Sequence, residues 1–526
     1  MVDEYYVVND MSVLRSEPPF PHALLEALRE APGSPAFEHG ERIVARGELL
    51  ELIGRLAAAL RAAGLGPGRG LGVSLAVSPE AFAAQMAAHV LGCRVVGVRP
   101  GYTPGQLAHV LAMDVDALLV DRSTATSDLL TAAGRTPFLS LRSCPNATDL
   151  MAEGGGAEPV ITAHPDDVAF VAFTSGSTGN PKGCAIAYRA LTEHWAWQPR
   201  VWSPVAAEFA TAFRRYMLFG TLSSIVVMEF LGPCLLGGGT AVIPDDDGRP
   251  LFPYAIERHR ISGSIITVPR LCQMLDLLRE EPADVSSLRG LMVSGSPLSP
   301  DRLAEAVHRL GPVVYQGYGQ TEVGNIAMLT PGDIASGPER LLASTGRPHP
   351  QVEISVRDEA GRELAPGHDG EIFVRCPYQM RGYWGDPEET RDVLRDGWIR
   401  TRDLGHLDDT GYLYLVGRTR DVILVNAMVV YAGPIERVLA SHPDVIDAYV
   451  TGGPDERTGE AVHAFVVPSG DRAFDDAAPT ELAALVRAQL GEDSVPQTIT
   501  AVPGVPVAAS GKPDKRALLR LRGLMG

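Results

Sequence analysis

Lysine is almost missing from this chain. Of its 46 basic residues only Lys182, Lys512 and Lys515 are lysine, and arginine supplies the rest. A bias that strong leaves lysine where a compact, flexible ammonium serves better than a planar fork. Positive charge is itself in deficit, with a formal net charge of −18, which disfavours nucleic acid or an anionic membrane as a partner. Cysteine is sparse: six residues, at 93, 144, 184, 234, 272 and 376, with no Cys-x-x-Cys pair. That argues against a disulfide framework or a zinc site and fits a reducing compartment. No stretch reaches the ~20 uninterrupted apolar residues of a membrane span. The acidic opening Met1-Val2-Asp3-Glu4-Tyr5-Tyr6 does not read as a secretory signal, so a cytoplasmic protein is expected. Neither a Gly-x-Ser-x-Gly elbow nor a His-Glu-x-x-His pair occurs, and hydrolase readings lose their usual support.

What remains is an ordinary globular composition, 45% hydrophobic and 21% charged with a mean hydropathy of +0.04, over 526 residues. That length exceeds a single core and predicts two or more domains. Leu49, Ile53, Leu56 and Leu60 recur at helical spacing before Gly64 and Pro67. Strand-like Leu71 to Leu75, helix-like Pro79 to Leu91, strand-like Arg94 to Val98, helix-like Thr103 to Met113 and strand-like Ala117 to Val120 follow. This alternation predicts a layered, mostly parallel α/β sheet. The rhythm resumes with candidate strands at Gly239 to Ile243, Ile261 to Thr267 and Leu291 to Ser294. From about Gly346 short alternating segments, Val352 to Val356, Glu371 to Val374 and Tyr412 to Val416, predict a β-rich subdomain. A smaller α/β unit follows, with strands at Val445 to Val450 and Ala461 to Val467 and a helix at Pro479 to Leu490. We expect the division near Asp421, giving domains 1–420 and 421–526.

The densest chemistry lies in Phe173 to Gly183, Phe-Thr-Ser-Gly-Ser-Thr-Gly-Asn-Pro-Lys-Gly, directly after the strand-like run Val168 to Phe173. Glycines let backbone N–H groups converge on an anion, hydroxyls add donors, and Lys182 supplies a point charge for a polyphosphate. The spacing is not Gly-x-x-x-x-Gly-Lys-Ser/Thr, so a generic NTPase loop is disfavoured.

Together with four further motifs, this loop resembles the adenylate-forming superfamily of acyl- and aryl-CoA synthetases, peptide-synthetase adenylation domains and firefly-type luciferases. The motifs run in the family's order: Thr174 to Gly183; Tyr318-Gly319-Gln320-Thr321-Glu322; Ser344-Thr345-Gly346-Arg347-Pro348; Arg402-Asp403-Leu404 with Gly417-Arg418-Thr419-Arg420-Asp421; and Gly511-Lys512. The resemblance implies an α/β fold with a large N-terminal domain of layered sheets, a β-rich subdomain and a small, mobile C-terminal α+β domain hinged near Asp421. It implies ATP and Mg²⁺, with CoA as a possible co-substrate. Thr174, Ser175, Gly176, Ser177, Thr178, Gly179 and Lys182 would hold phosphates, and Ser294, Gly295, Ser296, Gly317, Tyr318 and Gly319 would line the nucleotide site. Asp403 and Arg418 would take the ribose. Glu322 would ligate Mg²⁺, since a hard cation wants carboxylate oxygens, and Thr321, Glu322 and Lys512 are the expected catalytic residues. Such a site works by positioning and charge stabilisation as a carboxylate attacks the α-phosphorus and pyrophosphate leaves.

Two stretches depart from the pattern. After the hinge, relatives carry roughly Gly-Gly-x-x-x-x-Pro-x-Glu-Ile-Glu, whereas here Asn426-Ala427-Met428-Val429-Val430-Tyr431-Ala432-Gly433-Pro434-Ile435-Glu436 stands. Side chains replace bare backbone, which weakens the case for pantetheine. The substrate-forming segment between Ala206 and Gly220 reads Phe209-Ala210-Thr211-Ala212-Phe213-Arg214-Arg215-Tyr216 in place of the usual Pro-x-Phe-His. His194, Trp195 and Trp197 read as core packing or a wall near the substrate, and Cys184 as a buried packing residue. The expected reaction is ATP-dependent activation of an aromatic or short aliphatic acid and transfer to CoA. The alternative sends the acyl group to a carrier-protein thiol, an amine or another small nucleophile such as nitrite. A silent nucleotide-binding scaffold is a third reading, opposed by the intact Lys182, Glu322, Asp403, Arg418 and Lys512.

Overall fold

The computed structural model describes residues 18–152, 155, 158–174, 180–295, 298–419, 422–425, 428–455, 459–469, 477–506 and 513–523. Its first sheet has eight strands in the order Gly382–Tyr383, Lys182–Ala187, Val168–Thr174, Arg94–Gly97, Gly70–Ser74, Ala117–Val120, Phe138–Ser140 and Thr148–Asp149. From Val168–Thr174 to Thr148–Asp149 every pairing is parallel, as strand–helix alternation requires. At the other edge the order reverses: Val168–Thr174 turns back antiparallel into Lys182–Ala187, which pairs with Gly382–Tyr383.

The second sheet has nine strands, with Gly290–Ser294 and Val314–Gln320 side by side and parallel. Two helices buried between the sheets explain how they become one body. Pro79–Val90 begins where the Ser78 hydroxyl accepts from the Ala81 N–H at 3.0 Å, with Pro79 pre-set for the first turn, and all twelve of its residues are buried. Ile225–Leu236 is apolar nearly all round; helices of this kind belong inside. One continuous core joins Leu71, Val73 and Phe170 of the first sheet to Phe37, Ala241 and Met292 of the second.

The third sheet is antiparallel and built from Glu353–Arg357, Gly370–Arg375, Trp398–Leu407, Leu394–Arg395 and Leu413–Arg418. It is the β-rich subdomain that the broken, alternating texture predicts. After Arg418 the chain enters a fourth sheet, of Met428–Tyr431, Val422–Val425, Gly459–Pro468, Val445–Asp455 and Thr498–Ala501. Helices Ala432–Ala440 and Ala478–Leu490 cover it and share its own core around Ile435, Leu439, Val450 and Val486. The chain is thus an α/β protein with a large N-terminal part and a small C-terminal α+β unit. No helix among the described residues is long and apolar enough to cross a membrane.

Candidate active site

The glycine loop joins the two antiparallel strands at the first sheet's reversed edge. Register sets Thr174 directly opposite Lys182 at its base, and His109 Nε2 lies 3.1 Å from the Pro181 carbonyl. Ser175, Gly176, Ser177, Thr178 and Gly179 lie outside the described residues, as do Ser296, Asp421 and Lys512.

Lys182 is already engaged. Its Nζ lies 2.5 Å from Glu389 Oε1 and 5.5 Å from the centre of the Tyr383 ring. Arg402 approaches the same Glu389 oxygen at 2.8 Å. Burial opposes ionisation of Glu389, but Lys182 and Arg402 together hold its carboxyl below the usual range. Tyr383 donates its hydroxyl to Glu322 Oε1 at 2.8 Å; burial, then the Glu322 charge, push its own ionisation far upward. Lys182, Tyr383 and Glu322, three side chains from three separate segments, therefore connect the loop lysine to the carboxylate that the sequence offers as a metal ligand.

Asp403 is the second focus. It is 3% exposed and sits on Trp398–Leu407 opposite Arg418 of the neighbouring strand. Arg418 Nε approaches Oδ1 at 2.8 Å, while Oδ2 accepts from the Tyr318 hydroxyl at 2.6 Å and from Gln320 Nε2 at 2.5 Å. Gln320 Nε2 also donates to the Thr401 carbonyl at 3.0 Å, which fixes its orientation. Tyr318 is buried, and burial with the adjacent Asp403 charge raises its pKa well above normal. Ser294 and Gly295 close the neighbouring strand Gly290–Ser294, and Gly295 takes φ +99°, which favours glycine. Gly317 lets its strand pass close beneath: a Cβ there would fall on Met292 Cε. This rim, at the carboxyl ends of parallel strands, is where open α/β sheets receive ligands.

Beside it opens a cavity of about 40 Å³ whose wall includes Thr321, Val323 and Gly324, together with Phe20, Phe170, Trp197 and Tyr378. His194 and Glu229 also face it. Trp195, 1% exposed, lies behind this wall. The segment from Ala206 to Gly220, read from the sequence as substrate-forming, does not line the cavity. Phe209, Phe213 and Tyr216 are fully buried, and the Phe213 ring packs over the bare backbones of Gly263 and Gly290, so these aromatics are core. The neighbouring helix contributes instead, through Ile225, Met228 and Glu229.

Cys184 is buried, and burial raises its thiol pKa well above normal, as suits a packing residue. Lys515 lies 2.6 Å from Glu436 Oε1 and helps hold the small domain together. Tyr383, Glu389 and Glu229 are residues that sequence reasoning missed, and Arg402 was named only as part of a motif, with no role of its own. The signal for Glu229 was legible: one charge inside the apolar run Ile225–Leu236.

The chain has known relatives. Residues 24–384 match the family model for AMP-binding enzymes, and residues 434–512 that for the AMP-binding enzyme C-terminal domain. The chain is 30% identical to a medium/long-chain-fatty-acid–CoA ligase of Mycobacterium tuberculosis, over 96% of this chain and 90% of that one. It is 31% identical to an indoleacetate–CoA ligase of Aromatoleum aromaticum, over 94% and 95%. Among solved structures, the amide bond synthetase McbA from Marinactinospora thermotolerans superposes with a TM-score of 0.84 at 35% identity, covering 95% of this chain and 99% of that one. The chain therefore belongs to the AMP-binding, adenylate-forming enzymes and is an AMP-forming ligase of the acyl-CoA-synthetase type.

Proposed function

We propose that this enzyme activates an aromatic or short aliphatic carboxylic acid with ATP, releasing pyrophosphate, and passes the acyl group from the adenylate to the thiol of CoA. The observation that carries the reading is the contiguity of the parts: Lys182, Tyr383 and Glu322 adjoin one another, Thr321 follows onto the cavity wall, and Arg402 joins Lys182's partner to the Asp403 cluster. In this reading the loop from Thr174 to Lys182 takes the β- and γ-phosphates, Tyr318 the adenine, and Asp403 with Arg418 the ribose. Lys512 bridges the attacking carboxylate and the α-phosphate, carried on a domain of residues 421–526 that turns about Asp421.

Mg²⁺ fits this donor set. Among the described residues no cluster of three or more His, Cys, Asp or Glu could hold a metal. Mg²⁺ commonly makes do with one or two carboxylates plus substrate phosphates, and Glu322 supplies such a carboxylate beside the loop lysine. The ion would neutralise charge building on the departing pyrophosphate. The cavity, about 40 Å³, exceeds the ~10–15 Å³ a water needs but falls short of the ~150 Å³ that receives a benzene ring, so its wall must give way to admit an acid.

A second reading ends on an amine instead of CoA. It is favoured by the likeness to an amide bond synthetase and by the replaced glycine pair in residues 426–432. The deciding experiment is acid-dependent ATP–pyrophosphate exchange over a panel of acids, repeated with CoA and with amines while product mass is followed. Thioester supports the first reading and amide the second. Pyrophosphate release that ignores the acid overturns both.

A further inference from the structure

Arg402 breaks a backbone rule. Of the five non-glycine residues with positive φ among the described residues it is the one inside a strand, at φ +60°, a conformation that favours glycine. Between the pairs Glu371–Leu404 and Phe373–Arg400 one strand advances two residues and the other four, so Arg402 stands in a bulge, a device that re-aims a side chain. Its carbonyl accepts from the Thr419 N–H at 2.9 Å and from the Thr419 hydroxyl at 3.2 Å, which fixes the turned backbone. Strain held this firmly beside a ligand site points to a task for the side chain.

The guanidinium bridges two carboxylates. Nη1 lies 2.8 Å from Glu389 Oε1, and Nη2 donates to Asp392 Oδ2 at 2.6 Å. These acids stand three apart on the helix Pro387–Val393 and so share a face. Asp392 has further cover, with Arg395 at 2.8 Å and Arg400 at 3.6 Å from its Oδ1. Among the described residues the Glu389 carboxylate has, besides Arg402, only Lys182, 2.5 Å from the same Oε1. That oxygen is closed to solvent and takes no aligned hydrogen bond from either cation, so charge alone holds it. A shielded carboxylate stripped of its counter-charge is costly, and Lys182 is the cation that a polyphosphate in the loop claims.

We propose, resting on the nucleotide-binding reading above, that Arg402 is a positioning residue for the loop lysine: it takes over Glu389 as Lys182 turns to the β- and γ-phosphates. An arginine suits this handover. Its fork keeps Asp392 on one nitrogen while the other serves Glu389, so Lys182 can leave without baring a negative charge beside the triphosphate. Without Arg402, Glu389 both holds Lys182 back and repels the phosphates.

The test is calorimetric binding of ATP and of AMP, each with Mg²⁺, to wild type, Arg402→Gly, Glu389→Gln and the double variant. Glycine is at ease at φ +60°, so Arg402→Gly keeps the backbone; Arg402→Asn, which also tolerates that conformation, replaces it if the glycine variant does not fold. One partly exposed counter-charge is worth up to about fivefold in affinity. Arg402→Gly should therefore weaken ATP binding by about threefold to fivefold, leave AMP binding unchanged, and have no effect on ATP once Glu389 is replaced by Gln. A merely structural role could not give that rescue. Unchanged ATP affinity in Arg402→Gly, an equal loss in both backgrounds, an equal loss for AMP, or weaker ATP binding in Glu389→Gln would each overturn the role of Arg402. Lys182→Ala is the separate check. If it binds ATP more weakly than wild type, those four outcomes leave the phosphate-binding reading of the loop standing; if it binds ATP as wild type does, that reading and the role of Arg402 fall together.

Discussion

Replacing Asp403 by Asn keeps the shape of the side chain and removes its charge, and the structure makes the consequence calculable. Three donors surround the carboxylate: Arg418 Nε on Oδ1, and the Tyr318 hydroxyl and Gln320 Nε2 on Oδ2. An amide presents an NH₂ on one side, so at least one donor must face another donor. Turned toward Arg418, the NH₂ leaves a guanidinium without its counter-charge. Turned toward Tyr318 and Gln320, it breaks two buried hydrogen bonds, and Gln320 cannot flip without losing Thr401. Hydrogen bonds to a charged group are worth ~1.5–3 kcal/mol each, whereas the Arg418 side chain is 32% exposed and its ion pair is partly screened. The cheaper rotamer is therefore the one facing Arg418, with a cost of about 2–3 kcal/mol. Chemical denaturation of wild type and Asp403→Asn should show that loss as a lower midpoint at unchanged slope. A loss below about 1 kcal/mol would mean that the cluster contributes little to the fold and would refute the reasoning. If the cluster also takes the ribose, the KM for ATP rises in the same variant.

Two more expectations concern charge. Burial lowers His89, His194 and His349 to about 3, so each stays neutral in the fold while its unfolded form protonates below about 6.5; stability is full above that pH and falls beneath it. Glu229, raised to about 7, acts in the opposite sense and gains as pH falls from 7 toward 4.5. At pH 5 the three histidines together lose roughly 6 kcal/mol and Glu229 returns roughly 3, so the melting temperature at pH 5 should lie below that at pH 7.5; equal values would contradict the burial of these rings. Glu389→Gln removes the carboxylate that occupies Lys182. Since both side chains are about one-fifth exposed the pair is worth under ~1 kcal/mol, and ATP should bind up to about fivefold more tightly by calorimetry. Weaker binding in that variant would assign Glu389 to holding Lys182 in position for the phosphates.

Much of this was legible in the chain. Strand–helix alternation led to the parallel sheets because each element carries its own period, and Pro79–Val90 announces itself through Ser78 and Pro79. The motif residues Thr174, Lys182, Tyr318, Glu322 and Asp403 could be named because the chemistry restricts residue type locally. Partners from distant segments were not legible. Tyr383 reaches Glu322 across 61 positions and Arg215 reaches Glu38 across 177, and neither local pattern encodes the meeting. Phe209 and Phe213 failed for another reason: an aromatic near a site reads the same whether it faces ligand or core. Only the bare backbones of Gly263 and Gly290, far along the chain, decide that Phe213 turns inward.

The helix Pro79–Val90, buried on every side between two sheets, has a consequence for how the large domain comes apart. Chains of this length commonly divide their interior into separate cores beyond about 250–300 residues. Here each sheet has a core of its own, but the core that holds this helix is common to both, so opening it strips cover from the two sheets at once, and the strands that carry Thr174 and Tyr318 lose that support together. The two halves of the site therefore stand or fall as one cooperative unit.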